Sequence, residues 1–294
     1  MAETTALPKT YRGNCHCGNF IYTLTVPEIT GVSSCDCSIC TKKAPLWTVS
    51  SNPGEQFEIV KGDEDTDLAT YQFGSKALSH KFCKKCGSTL FARWPTGPPE
   101  KQMVINTRCL QDFDTWDLPI KFFPGSTLGE AYSPGIYDGP EPHVSGLKDP
   151  KTYYGSCHCG DIKLSYKTEA LDENTKVVEC NCSIDQRNGH IWTYPKRDQV
   201  VITGTDKLTS YSHGLHVFIK TFCTRCGTPI QNTARDLSRE ELKELPEAFV
   251  AFYESAKLMQ PVNLRILDGF DMASVKPQRV RGWDLIEPKY VNPW

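Results

Sequence analysis

The chain has 294 residues, 39% of them apolar and 23% charged, with a net charge of −2. That balance suits a soluble globular protein of two domains with real cores. It lacks the clustered Lys and Arg of a nucleic-acid footprint, and no apolar run approaches the ~20 residues needed to span a bilayer. The opening "MAETTALPKTYRG" carries neither the basic nor the apolar segment of a signal peptide, so the expected location is the cytoplasm. Fourteen cysteines in such a compartment read as metal ligands before they read as disulfides.

In chain order, "GNCHCGNFIYTLT" at 13–25 sets Cys15 and Cys17 one residue apart, just ahead of a strand pattern. Phe20, Tyr22, Leu24 and Val26 alternate onto one face of that strand. "CDCSIC" at 35–40 follows, with Cys35, Cys37 and Cys40, and then "TKKAPLW". "QFEIVKG" is the next strand, closed by a glycine, and "HKFCKKCGSTLF" at 80–91 supplies Cys83 and Cys86. The stretch 129–150, dense in glycine and proline, predicts a linker wrapped over the surface.

After it the series starts again. "GSCHCGDIKLSYK" at 155–167 carries Cys157 and Cys159 and a strand face of Ile162, Leu164 and Tyr166. "CNCSID" at 180–185 carries Cys180 and Cys182 but ends in Asp185, "QVVITG" is a strand, and Cys223 and Cys226 form the second C-x-x-C pair. Cys17 lies 66 residues before Cys83, and Cys159 lies 64 before Cys223. "MVINTRCLQDFDTWDLPIK" and "FVAFYESAKLMQPVNLRIL" then align without a gap, Leu118 on Leu264 and Ile120 on Ile266, which would match Cys109 with Ser255. The chain is therefore one domain written twice, with expected bounds 1–146 and 147–294, the linker falling in the first. "LSREELKELP" at 237–246 adds a helix to the second copy, with Ser238 and Glu241 as capping box, Leu237 and Leu242 as staple, and Pro246 as its end.

The outer pairs of each copy sum to four thiolates: Cys15, Cys17, Cys83 and Cys86, and then Cys157, Cys159, Cys223 and Cys226. Four thiolates satisfy a structural zinc, and the glycine after each C-x-x-C suits a tight metal-binding knuckle. The middle cluster of the first copy stops at three, which matches an open zinc site; the alternative is a closed site with His80 or His143 as fourth ligand. In the second copy Asp185 reads either as loss of that metal or as a Cys–Cys–Asp site. Lys42 and Lys43 read as solvated surface ahead of a clamp for substrate carboxylates. Trp47 and Trp192 hold the same place in the two copies and predict a shared core role, while Cys109 reads as a small buried hydrophobe.

The motifs "GxCHCG", "CxCSxC" and "FCxxCGS", in that order, resemble the glutathione-dependent formaldehyde-activating enzyme family, which includes centromere protein V. The resemblance covers roughly 11–125 and 153–268. It implies a mainly β chain of two tandem Mss4-like β-tent zinc domains. It also implies structural zinc on each outer set and a catalytic zinc on Cys35, Cys37 and Cys40. The implied activity is that of a zinc-dependent carbon–sulfur lyase acting on thiol adducts of aldehydes or related small molecules, with glutathione as a partner; the charge and hydropathy pattern adds the expectation of no nucleic-acid and no membrane partner. Asp185 departs from the pattern, so chemistry is expected in the first copy. Two other readings stand beside it: a non-catalytic zinc scaffold for a protein partner, and a lyase or hydrolase of the same fold turned to another reaction.

Overall fold

A computed structural model of the chain describes residues 8–50 and 56–294. The first copy runs through β1 (Lys9–Asn14), β2 (Ile21–Val26), β3 (Val32–Cys35), helix α1 (Ser38–Lys43), β4 (Trp47–Ser50) and β5 (Phe57–Lys61). It continues with β6 (Leu68–Tyr71), β7 (Ser79–Cys83), β8 (Thr89–Arg93), β9 (Met103–Asn106) and β10 (Ile120–Phe123). These strands form a three-stranded sheet, β1-β2-β5, and a seven-stranded one, β10-β3-β4-β9-β8-β7-β6.

The second copy repeats the pattern with β11 (Lys151–Ser156), β12 (Lys163–Thr168), β13 (Val177–Cys180), α2 (Ser183–Asn188), β14 (Trp192–Thr193) and β15 (Val200–Thr203). Then come β16 (Leu208–Ser212), β17 (Phe218–Cys223), β18 (Pro229–Ala234), α3 (Arg239–Lys243), α4 (Glu247–Ala256), β19 (Val262–Asn263), β20 (Gln278–Val280) and α5 (Gly282–Leu285). Its sheets, β11-β12-β15 and β16-β17-β18-β19-β14-β13-β20, reproduce the first copy's strand order. The protein is mainly β, as the alternation predicts. Phe20, Tyr22 and Leu24 are fully buried and Val26 is nearly so, which puts that face of β2 in the core.

The ungapped match of the two C-terminal segments does not hold. "FVAFYESA" is helix, within α4, with Lys257 as its C-cap, and not a strand equivalent to β9. The true counterpart of β9 is β19: Asn106 and Asn263 each accept the N–H two residues on and each opens a 3-10 turn. The equivalent bridges Gly13–Leu110 and Gly155–Leu267 set Leu110 on Leu267, the same spacing as Asn106 to Asn263, so Cys109 matches Ile266, not Ser255. α3 and α4 are what the second copy has gained. The capping box of α3 forms as read, with Glu241 N donating to Ser238 Oγ at 3.2 Å and Ser238 N to Glu241 Oε2 at 2.8 Å. Pro246 ends one helix and caps the next.

Contacts divide the chain into two compact units. The first runs up to Tyr132 and takes in Gln186–Gly189 and Val291–Trp294; the second is Ser133–Asp185 with His190–Tyr290. Within the first unit Arg187, 3% exposed, donates to Asn14 O and Oδ1, both at 3.2 Å, and to Asn292 Oδ1 at 3.3 Å. Within the second, the stretch 133–150 has no helix or strand and lies on β11 and β12. There Tyr137 stacks on Tyr154 and Glu141 accepts from Ser165 Oγ at 2.8 Å.

One ion cluster braces β7 and β8. Arg93 Nη2 meets Glu64 Oε2 at 2.7 Å, and the Lys81 ammonium stands 3.1 Å from Oε1. Partial burial pushes the Glu64 carboxyl up, but Arg93 and Lys81 outweigh it and hold it below the usual carboxylate range. A group lowered in the folded state adds stability above its unfolded pKa and loses it as pH falls through the folded one. Glu64→Gln is therefore expected to cost about 2 kcal/mol at neutral pH, after discount for exposure. In urea melts the gap between wild type and variant is expected to close as pH drops below about 4.

Candidate metal and active site

Each outer cysteine set is assembled from two turns. Cys15 and Cys17 sit in the β1–β2 turn, and Cys83 and Cys86 in the β7–β8 turn, where Gly87 N donates to Cys83 O at 3.0 Å with φ 75°. Gly227 repeats this with φ 70°, a left-handed conformation that glycine adopts without strain. The four sulfurs of the first set lie within 4.8 Å of one another, and so do those of Cys157, Cys159, Cys223 and Cys226. Cys15–Cys17 and Cys17–Cys83 are 3.6 Å apart, and the equivalent second-copy pairs 3.5 Å. Tetrahedral Zn–S bonds of ~2.3 Å would set sulfurs about 3.8 Å apart. Donors also point at the sulfurs: Phe20 N and Ile162 N reach Cys15 and Cys157 Sγ, both at 3.3 Å, as suits ligating thiolates. Both sets fit a four-coordinate zinc.

The middle cluster is built at the end of β3. Cys35 closes the strand, Cys37 caps α1 in an extended conformation, and Cys40 is one turn along. Their sulfurs also lie within 4.8 Å, and neither His80 nor His143 is in the group. Cys40 is buried at 5% exposure, whereas Cys35 and Cys37 are half-buried and reachable. Three thiolates with one accessible side fit a zinc that keeps a position open. The thiols of Cys37 and Cys40, helped by the N–H groups of Cys37 and Gly125, hold Cys35 well below the usual thiol range against its burial.

Three supports of this cluster were not visible as motifs. Trp47 Nε1 donates to Cys40 Sγ at 3.4 Å, so the shared tryptophan is more than core filling. Asp36 receives Ser126 N and Ser126 Oγ, both at 2.8 Å, and so ties the turn after β10 over the cysteines. That turn brings Gly125 so close that a Cβ there would stand 2.4 Å from Cys35 Sγ. β10 reaches the site by pairing in parallel with β3, Phe123 beside Cys35.

Lys42 and Lys43 overturn the solvated-surface reading. They are 5% and 4% exposed, and the Lys43 ammonium lies 4.5 Å from the centre of the Phe82 ring. Cys109 is fully buried; burial pushes its thiol up to about 12, which leaves it an inert core residue, as read.

The second copy keeps the frame and changes the contents. Cys180, Cys182 and one Asp185 oxygen lie within 4.8 Å, and a Cβ on Gly282 would stand 2.5 Å from Cys180 Sγ, as at Gly125. Trp192 Nε1 donates to Asp185 Oδ1 at 3.2 Å, the counterpart of Trp47 to Cys40. But the same oxygen also meets His190 Nδ1 at 2.7 Å and Lys220 Nζ at 3.0 Å. Three donors on Oδ1, one of them an ammonium, compete with any metal for that oxygen, whereas Trp47 Nε1 on Cys40 and the N–H groups on Cys35 are uncharged donors.

The chain belongs to the glutathione-dependent formaldehyde-activating enzyme family, which matches residues 10–126 and 152–248, more than half of its length and once in each copy. One relative is a Halomonas elongata protein named "Putative glutathione-dependent formaldehyde-activating enzyme", 30% identical over 92 residues. That match covers 28% of this chain and 57% of the relative, so the chain spans little more than half of it. A solved structure of a Rhodobacter sphaeroides protein matches 41% of this chain and 92% of its own at 24% identity, with a TM-score of 0.31. Among the described residues no helix is long and apolar enough to cross a membrane.

Proposed function

We propose that the first copy is a zinc-dependent carbon–sulfur lyase-type site acting on thiol adducts of aldehydes or related small molecules, with glutathione as the thiol. Cys35, Cys37 and Cys40 hold the catalytic zinc, and the two outer sets hold structural zincs. The observation that carries the reading is the number of sulfurs in each set. Each outer set has four, enough to close a zinc's coordination, with one half-buried member (Cys17 or Cys159), while the middle set has three, two of them half-buried, Cys35 and Cys37. A zinc held there supplies a soft Lewis acid that lowers the pKa of an incoming thiol. Zn²⁺ with three thiolates is a weak generator of hydroxide, which favours sulfur chemistry over hydrolysis.

The chain's own residues shape the rest. Trp47 fixes the Cys40 sulfur, and the Gly125 and Cys37 N–H groups fix Cys35. Lys42 and Lys43, buried on α1 two and three residues after Cys40, supply cations for the carboxylates of a glutathione-like thiol. In the forward direction a bond forms between the thiol sulfur and the carbonyl carbon, and the proton lost by the thiol ends on the former carbonyl oxygen. The reverse breaks that bond and returns the proton.

The test is cobalt-substituted protein titrated with glutathione. The visible spectrum is expected to shift on addition in wild type and to stay still in Cys40→Ser. The same variant is expected to lose thiol-adduct turnover by at least about 100-fold, the scale on which even the outer partners of a ligand act. A wild-type spectrum blind to glutathione sinks the proposal. The scaffold reading would then gain, since β10 is an edge strand with Ile120, Phe122 and Phe123 each half exposed or more.

A further inference from the structure

Lys220 comes from β17, three residues before Cys223, and pairs across the sheet with Tyr211. His80 holds that place in the first copy, three before Cys83 and opposite Tyr71. The change from imidazole to lysine therefore sits in the same copy as the change from Cys40 to Asp185. The two changes meet in space. The lysine ammonium is 3.0 Å from the carboxylate oxygen and 4.8 Å from the centre of the Trp192 ring, which Trp192 turns toward it while donating to the same carboxylate. His190 completes the group through Nδ1, and its ring centre is 4.6 Å from that of Trp192.

All of this is out of water. Asp185 is 6% exposed, His190 and Trp192 are each 2%, and the Lys220 side chain is 13%. Cys180 and Cys182, both 8% exposed, no longer face solvent as Cys35 and Cys37 do. They pack with Val178 and Ile184, against Tyr194, Tyr211 and Val280.

We infer that the Lys220 ammonium takes the place of the zinc in the second copy: an internal cation, held by Asp185 and covered by Trp192, that completes this cluster with no metal. The charge balance supports this. The Asp185 carboxylate and the Lys220 ammonium cancel, so the cation that a zinc would bring to this carboxylate is already supplied by the chain. A zinc drawn to Asp185 Oδ1 would have to displace the ammonium bound there, and one drawn to Oδ2 would stand beside that ammonium with like charge. The substitution keeps what a metal gives a fold, a fixed point on which β13, α2 and β17 converge, and removes what it gives chemistry, an exchangeable position. The second copy is then a closed module whose polar centre is supplied by its own chain.

Zinc counting on the full chain tests this, since it reads the second cluster alone when variants are compared with wild type. Cys180→Ser/Cys182→Ser is expected to bind as many zincs as wild type. Asp185→Cys is expected to bind no more than wild type, because Lys220 still stands there. Asp185→Cys/Lys220→His is expected to bind one more. A zinc lost on the double serine change, or gained with Asp185→Cys alone, overturns the inference. An anomalous-scattering map of wild-type crystals at the zinc edge decides the matter without any variant: no peak is expected beside Asp185, and a peak there overturns it. None of these readouts depends on what the first copy catalyses, so failure of the lyase proposal would leave them unchanged.

Discussion

Cys86→Ala is expected to unfold the first unit, and Cys226→Ala the second. Each removes one of four sulfurs from a closed set in which the residue itself is 3% and 0% exposed. The outer set joins the β1–β2 turn to the β7–β8 turn, which belong to different sheets of the same copy. A structural zinc supplies on the order of 10 kcal/mol of folding free energy in small metal-dependent domains, against total stabilities of about 5–15 kcal/mol. Loss of such a site leaves little margin. Limited proteolysis with a chromophoric zinc indicator reads the result: cleavage confined to the affected unit and release of its zinc. A protease-resistant unit after either change would remove the structural assignment for that set.

Gly125→Ala is expected to strip the first middle cluster while sparing the fold. The new Cβ would stand 2.4 Å from Cys35 Sγ and 3.2 Å from Cys37 Cβ, far inside contact distance. The nearest atom is the end of a one-torsion side chain, so Cys35 can swing away, but only by leaving the other two sulfurs. Glutathione uptake and adduct turnover are expected to fall by about 100-fold or more, with the outer zinc retained and little change in melting temperature. Gly282→Ala meets a different neighbour list: Cys180 Sγ at 2.5 Å, then Cys182 Cβ at 2.7 Å and Cys182 N at 3.0 Å. A backbone atom cannot rotate aside, so that change is expected to cost about 1–3 kcal/mol of stability. If Gly125→Ala left metal and turnover untouched, the turn after β10 would have no part in placing Cys35.

The cysteine clusters were legible because their members lie in short, regular spacings, C-x-C, C-x-C-x-x-C and C-x-x-C, and the fold brings each set of sulfurs within 4.8 Å. The frame of strands was legible for a related reason, since the burial of Phe20, Tyr22, Leu24 and Val26 is written in period two. What was missed is non-local or chemically silent. Lys220 lies 35 residues from Asp185 and carries no motif, so only the fold reveals that the two pair. Gly125 has no side chain to betray its role, and it meets Cys35 across 90 residues. Lys42 and Lys43 looked solvated because charge predicts exposure; a cation seated over Phe82 is an exception that spacing cannot signal. The false match of "FVAFYESAK" to a strand arose because an apolar helix and an apolar strand share composition. Its helical spacing, Phe249 to Tyr253, was the discriminating sign.

The parallel pairing of β10 with β3 also orders events in time. Val32–Cys35 finds its partner in Ile120–Phe123, some 88 residues later, so this contact closes a long loop and forms late. A ribosome adding about 5–20 residues per second takes several seconds to cover that distance. For that interval Cys35, Cys37 and Cys40 exist as a nascent, uncovered trithiol within six residues, with no Gly125 turn above them. Early capture of a metal ion would protect them from oxidation during synthesis, and a zinc-starved cell is expected to accumulate newly made chains oxidised at these positions before the older, mature ones.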